Sequence, residues 1–377
     1  MLVVYYNSPG GVKVYNENLI KYLNESNADF EIFKYSFHEG GTSSINKTGN
    51  HYLAAFSKFE SRARIFKLAK DIFKAHRLII CNDSFELEAI NYLMIEAKTI
   101  FVAHGSLDYY VNTIKVWRGL IDDVFCVSRQ LMLFYKNKFS DLAFKFAPPL
   151  TEDVDIPQNF KDTDELRIVF AGRMEKLKGS DILNQVAENL TKMPEIKMAY
   201  YLPAGGNDEI ELQRIPGKVV VKYGLENQQL LQEIKQSDIL LFPSRSEGFG
   251  LVILECMKRA IVPIVLDTAL GPRDLVTHAK TGFSFDENNF VPSAIECVVK
   301  FKNDRDALNK MKLAVWEFSN SNYRFETIGT RFISQLNESK LTAKHTFISS
   351  QLTTAEKLIP GGLYRFIKRI GWKLKTQ

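Results

Sequence analysis

Apolar and polar positions along the chain alternate between two periods. "MLVVYY" (1–6), "RLIIC" (77–81), "TIFVAH" (99–104) and "DVFCVS" (123–128) are short β-rich runs that end on polar or glycine positions. Between the first two lies "GVKVYNENLIKYLNE" (11–25), with apolar or aromatic residues at 12, 15, 19, 22 and 23. Such βα alternation predicts a parallel sheet covered by helices. A second series follows "APPLTEDVDIPQNFKDTDE", whose prolines and acids read as a linker. It comprises "LRIVFAGR" (166–173), "KMAYYLPAG" (197–205), "VVVKYG" (219–224), "DILLFPS" (238–244) and "VPIVLD" (262–267). The economical architecture is two Rossmann-like halves, 1–155 and 156–320, with ligands held beyond the carboxyl ends of the strands.

Composition changes this picture little. A chain of 377 residues, 45% hydrophobic, suffices for two cores. Four cysteines (Cys81, Cys126, Cys256, Cys297) show no CxxC spacing, so neither a zinc site nor a disulfide framework is indicated. The apolar start meets turn residues too early for a signal peptide, and no run reaches the roughly 18 apolar residues of a membrane span. Reduced thiols in the cytoplasm are the expected setting. Charge is uneven: from Lys340 onward there are eight basic residues and one acid, so the remaining chain is slightly acidic despite a net +5.

Three stretches carry candidate chemistry. In "NSPGGV" (7–12), Gly10 and Gly11 would let the backbone approach a ligand and offer amides at a helix start, although such a pair is more often only a turn. In "FAGRMEKLKGSDIL" (170–183), Arg173 and Lys178 sit at the end of a buried strand. They would suit a diphosphate, or be solvated cations; the order Gly-Lys-Ser/Thr of a P-loop is absent. In "SRSEGFGLVILE", Glu247 and Glu255 would lie about 12 Å apart along one helix. A glycosidase pair needs roughly 5 to 10 Å, so the spacing suits a long ligand instead, a nucleotide sugar with one glutamate near each end. A capping acid plus a buried helix glutamate is the plainer alternative.

Together these residues resemble glycosyltransferase family 4, retaining nucleotide-sugar enzymes of the GT-B fold. "FPSRSEGFGLVILE" resembles the family's E-x7-E signature, "GRMEKLKG" its G-R-x4-K-G segment and "SPGGV" its glycine loop. "VAHGS" stands where the family has a histidine, and "GPRDLVTHAKTGFSFD" is similar to its G-P-x-E-L-V…G-x-x-G-F segment. The resemblance implies two domains facing a central cleft, with C-terminal helices (321–340) crossing back to the first. It implies that Arg173 and Lys178 hold the donor diphosphate beside Gly172, that Glu255 binds ribose, and that Glu247 with the amides of Gly248, Phe249, Gly250 and Leu251 positions the sugar. Gly10 and Gly11 would approach the diphosphate from the other domain, His104 would contact the sugar, and the base would lie near Tyr223 and Leu225. No metal or other cofactor is implied, since cations and helix-end amides substitute electrostatically.

The chain departs from the family pattern after Glu255, where Ala260 takes the place of a glycine and Pro263 falls one position late. "CNDSFE" (81–86) replaces a histidine-bearing segment, which would set Asn82 and Asp83 toward the acceptor cleft. Near the end, "GGLYRFIKRIGWKLK" within the tail 341–377 puts Leu363, Phe366, Ile367, Ile370 and Leu374 on one helical face, with cations largely elsewhere. Residues 361–375 therefore read as a segment for an anionic membrane surface, against a terminal helix packed on the body. Nucleic acid is set aside for want of aromatic platforms on a sheet face.

The expected activity is hexose transfer with retention, from a nucleotide sugar (UDP, on frequency) to a lipid-linked or lipopolysaccharide saccharide, at the inner face of a bacterial plasma membrane. A GT-B nucleotide-sugar epimerase or hydrolase, or a non-catalytic sugar-nucleotide scaffold, are the alternatives.

Overall fold

The computed structural model describes residues 1–156, 165–203, 207–338 and 345–348. The first half runs β1 (Leu2–Tyr6), α1 (Gly11–Glu25), β2 (Glu31–His38), β3 (Ser44–Thr48), β4 (His51–Ser57), α2 (Arg62–Lys74) and β5 (Leu78–Cys81). It continues with α3 (Ser84–Leu93), β6 (Lys98–Ala103), α4 (Asp108–Trp117), β7 (Asp123–Cys126), α5 (Arg129–Lys138) and β8 (Ala143–Phe146). The second half runs β9 (Leu166–Ala171), α6 (Ser180–Leu190), β10 (Ile196–Leu202), α7 (Glu209–Gln213), β11 (Val220–Tyr223), α8 (Asn227–Glu233) and β12 (Ile239–Phe242). Then come α9 (Leu251–Met257), β13 (Val262–Leu266), β14 (Phe283–Phe285), α10 (Phe290–Asn303), α11 (Arg305–Asn322) and α12 (Phe325–Glu338).

Each half builds one sheet. The first orders its strands β3-β4-β2-β1-β5-β6-β7-β8 and the second β11-β10-β9-β12-β13-β14. All pairings are parallel except β3 with β4. The periodic patterns account for this: β6 and β12 are buried along nearly their whole length, as strands covered on both faces must be. Helix α6 buries Ile182, Leu183, Val186, Ala187 and Leu190 on one face. Each large apolar side chain so buried contributes about 1.5–3 kcal/mol. The strands β2, β3, β4, β8 and β14 extend the sheets beyond the runs singled out from sequence.

Helix α1 buries Tyr15, Leu19, Ile20, Tyr22 and Leu23, but also Asn16. That polar residue survives on the apolar face because its side-chain amide pairs with that of Asn82, and its Nδ2 also donates to the Val12 carbonyl. At the far end of the chain, α12 crosses back to the first sheet. A Cβ at Gly329 would stand 2.2 Å from the Tyr22 ring, so only glycine lets the helix lie this close. Phe332 meets Phe125 edge-on at 5.4 Å, and Lys98 and Lys145 donate to the carbonyls of Leu336 and Gln335. Trp316 Nε1 and the fully buried Lys258 fasten the segment before the linker, donating to Val154 and Thr151 carbonyls, with Asp153 completing the lysine's shell. Among the described residues no helix is long and apolar enough to cross a membrane. The tail 361–375 lies outside the described residues.

Candidate active site

The candidate residues converge on the carboxyl ends of both sheets, where the two halves meet. On the second half, the chain leaves β9 through Gly172 and Arg173 and makes a single 3-10 turn, Lys176–Lys178. Gly179 then takes a left-handed φ of 73° against the Pro243 carbonyl, which a Cβ would approach to 1.9 Å. This close approach sets Lys178 beside the loop that follows β12. Its Nζ donates to Glu247 Oε1 at 2.6 Å and to the Ser246 carbonyl at 3.1 Å, with both charged side chains 17% exposed. Arg173 is more open and pairs with Glu175 at 3.1 Å.

Arg245 fixes these two loops to each other, and sequence reasoning passed over it. Its guanidinium reaches Asp181 at 2.8 and 3.0 Å and Glu287 at 2.7 and 2.9 Å, and also donates to the Lys176 carbonyl. Asp181, then Glu287, raise its pKa further, so the clamp stays charged. A lone arginine between two serines carries no sequence signal; only the fold supplies its two acids.

Glu247 and Glu255 do not share a helix. Gly250, at φ 89°, caps α9, so Glu247 belongs to the preceding loop and the 12 Å expectation along one axis does not apply. Phe249 is buried and meets Tyr323 edge-on, and the Glu247 carbonyl accepts from the Gly271 amide. Glu255 is 4% exposed on α9, and burial lifts its carboxyl to about 7 despite a 3.2 Å hydrogen bond from Asn227 Nδ2. Asn227 is the first residue of α8, two positions beyond Leu225. Tyr223 is exposed at the end of β11.

The first half supplies the opposite wall. Gly10 (φ 138°) and Gly11 start α1 with open space where a Cβ would stand. Two residues on, Lys13 reaches across to Glu226, the cap of α8, at 3.7 Å. His104 follows β6, and its Nε2 lies 2.7 Å from Asn82 Oδ1. Asn82 Nδ2 donates to the Val4 carbonyl, which settles the amide's orientation, so Oδ1 must accept and Nε2 must carry the proton. Burial drops the imidazole to about 3. His104 is therefore neutral, with Nδ1 as a lone-pair acceptor.

Asn82 corrects an expectation. It is 4% exposed, all its hydrogen-bonding capacity spent on Val4, Asn16 and His104, so it positions the histidine and does not face a cleft. Asp83 is the cap of α3, accepting from the Phe85 amide at 2.8 Å. Ala260, standing where the family pattern has glycine, keeps the glycine conformation at φ 58°. Among the described residues no group of three or more His, Cys, Asp or Glu is arranged to hold a metal ion.

Residues 151–314 match the family model "Glycosyl transferases group 1". A 41.2 kDa protein from the cps region of Klebsiella pneumoniae is 27% identical over 171 residues, covering 44% of this chain and 45% of that protein. The sulfoquinovosyl transferase of Arabidopsis thaliana is 26% identical over 197 residues, 51% of this chain and 36% of that one. The chain thus spans less than half the length of these relatives. Among solved structures, HepE of Anabaena in complex with UDP and glucose superposes with a TM-score of 0.70 at 15% identity, covering 89% of this chain and 99% of that one. Sucrose-phosphate synthase of Thermosynechococcus elongatus does so at 0.70 and 13%, covering 89% and 98%. The chain has the GT-B fold, and its segment 151–314 carries the pattern of the group 1 glycosyl transferases.

Proposed function

We propose that the chain is a retaining hexosyltransferase of family 4 that takes a nucleotide sugar, a UDP-sugar in the first instance, and glycosylates a saccharide in bacterial surface-glycan synthesis. The observation that carries this is the Lys178–Glu247 pair, which joins two loops that Arg245 also ties together on one domain, with the His104 main chain of the other domain against the adjacent Gly248. Lys178 and Arg173 place positive charge where a diphosphate leaving group gains negative charge, which is the largest single lever on such a transfer. No metal is called on for that role. Neutral His104 accepts from a sugar hydroxyl at Nδ1, Glu247 holds the sugar beside the Gly248–Leu251 amides, and Glu255 accepts from ribose.

In the proposed step the acceptor oxygen bonds to the anomeric carbon on the face the diphosphate leaves. The bond from that carbon to the phosphate oxygen breaks, and the acceptor's hydroxyl proton passes to the departing phosphate. The basic residues of 361–375 would bring the enzyme to a lipid-borne acceptor at an anionic membrane. The test is release of nucleoside diphosphate from UDP-, GDP- and ADP-sugars, with product anomers read by NMR. Unchanged turnover in Arg173→Ala or in Glu247→Ala, or loss of turnover in chelator, would overturn the assignment.

A further inference from the structure

A separate cleft of about 180 Å³ opens on the first half, at the carboxyl ends of β1, β2 and β4. Its floor is aromatic: Tyr6, Phe37 and Phe85 line it, with the Tyr6 ring 5.5 Å from Tyr35 and 6.0 Å from Phe37. Tyr6 closes β1 yet is 39% exposed, although the four preceding residues of that strand are buried. Its rim is polar and charged, with Lys58, Arg62 and Asp83. Arg62 is braced by Glu88 and lies 6.0 Å over the Phe85 ring, so its donors are held in place. Lys58 pairs at 2.8 Å with Glu39, whose side chain is 80% exposed, an ion pair too open to hold the lysine strongly.

The cleft is joined to the candidate active site on two sides. Tyr6 runs directly into the turn that ends at Gly10 and Gly11, and the Asn7 amide is tied to the Tyr35 carbonyl at 2.7 Å. Asp83 follows Asn82, whose side chain holds His104. A ligand seated on Tyr6 and Asp83 therefore lies four residues along the chain from Gly10 and one from Asn82, which positions His104.

We infer that this cleft is a saccharide subsite, in which one pyranose ring of the acceptor stacks on Tyr6 while its hydroxyls meet Asp83, Arg62 and Lys58. The volume equals about six waters' share of liquid, room for a single ring. A pyranose offers a C–H face to the electron-rich face of an aromatic ring and hydroxyls at its edge. The rim matches that edge with one braced donor, Arg62, one adjustable donor, Lys58, and one carboxylate acceptor, Asp83, the usual division between an apolar floor and a few polar groups. Naming this acceptor contact rests on the transferase reading above, but its binding test does not.

The experiment is saturation-transfer NMR on the full chain with methyl glycosides of glucose, galactose, N-acetylglucosamine and glucuronic acid, without donor. At least one glycoside gives transfer with wild type, and the signal drops at least fivefold in Tyr6→Ala and in Lys58→Ala but persists in Tyr6→Phe. Binding of UDP, GDP or ADP by each variant serves as the check that the chain is folded. The inference is overturned if no glycoside binds a chain that binds nucleotide, or if Tyr6→Ala binds the glycoside as wild type does. A chain that binds a glycoside through Tyr6 but no nucleotide would leave the cleft standing and remove the donor reading.

Discussion

The Cα of Gly248 lies against the His104 carbonyl, so that a Cβ there would stand 1.9 Å from that oxygen and 2.6 Å from its carbon. The two domains thus meet backbone to backbone at the candidate sugar position, with His104 on one side and the Glu247 loop on the other. Gly248→Ala cannot be absorbed by a rotamer, because the opposing atoms are main chain. The domains must part by an ångström or more, and displacement on that scale costs about 100-fold in rate. We expect kcat/KM for diphosphate release to fall by about that factor while the melting temperature changes little, since the clash is relieved by opening the cleft. A Gly248→Ala enzyme with wild-type turnover would show that this contact does not belong to the active geometry.

The Lys178–Glu247 pair separates binding from chemistry. Lys178→Met removes the charge and keeps the stem, so affinity for a nucleoside diphosphate should fall about 10- to 100-fold, the loss of a charge-assisted contact of about 1.5–3 kcal/mol. Affinity for the nucleoside alone should not change. Titration calorimetry with UDP and with uridine distinguishes this from general damage, in which both affinities drop.

Two groups of the site pull stability in opposite directions with pH. Glu255 has its pKa raised from 4.5 to about 7, so the folded chain holds a proton there that the unfolded chain has lost. Its contribution is complete below 4.5 and disappears as pH rises through about 7, at most about 3 kcal/mol. His104 is lowered from 6.5 to about 3, so its contribution is complete above 6.5 and is lost as pH falls toward 3. Between 4.5 and 6.5 the two slopes offset each other. In Glu255→Gln urea denaturation should show stability falling with acid across that window, and in His104→Gln stability falling with base. Identical pH profiles in both variants and wild type would show that neither group is desolvated as the fold implies.

Much of this was legible in the sequence, for identifiable reasons. Runs such as "DILLFPS" and "TIFVAH" are buried on both faces, so they appear as unbroken apolar stretches. Lys178 and Glu247 are 69 residues apart, yet each sits in a glycine-marked turn that the family resemblance places. What stayed hidden depends on partners distant in sequence. Arg245 has meaning only beside Asp181 and Glu287, and Asn16 and Asn82 explain each other only after folding. Asn82 misleads because buried amides and exposed ones look alike in sequence.

Ala260 offers a stability test free of the active site. It is fully buried at φ 58°, a conformation that costs an L-residue about 1–2 kcal/mol. Ala260→Gly removes that strain and gives back about 0.4–1 kcal/mol through the freer unfolded chain. The net is a gain of about 0.5–1 kcal/mol, read as a higher urea midpoint with an unchanged slope. A lower midpoint would mean that the methyl group's packing outweighs the backbone strain.

The segment 345–348 is held to the first sheet by a titratable pair. His345 Nε2 lies 3.1 Å from Asp122 Oδ2, both groups are buried, and the hydrogen bond to Asp122 raises the imidazole above 6.5. Around it the Thr346 amide donates to the Gly119 carbonyl at 3.0 Å and the Ile348 amide to Asn91 Oδ1 at 2.9 Å. A raised histidine stabilises below its unfolded value of 6.5, and that contribution is lost as pH climbs through the folded value. Hydrogen exchange at Thr346 and Ile348, corrected for intrinsic rates, should show protection below the unfolded value of 6.5 that weakens at a pH well above it. His345→Gln should lack it at both. Protection that persists at the higher pH in wild type would mean that the main-chain bonds to Gly119 and Asn91 hold the segment without the ion pair.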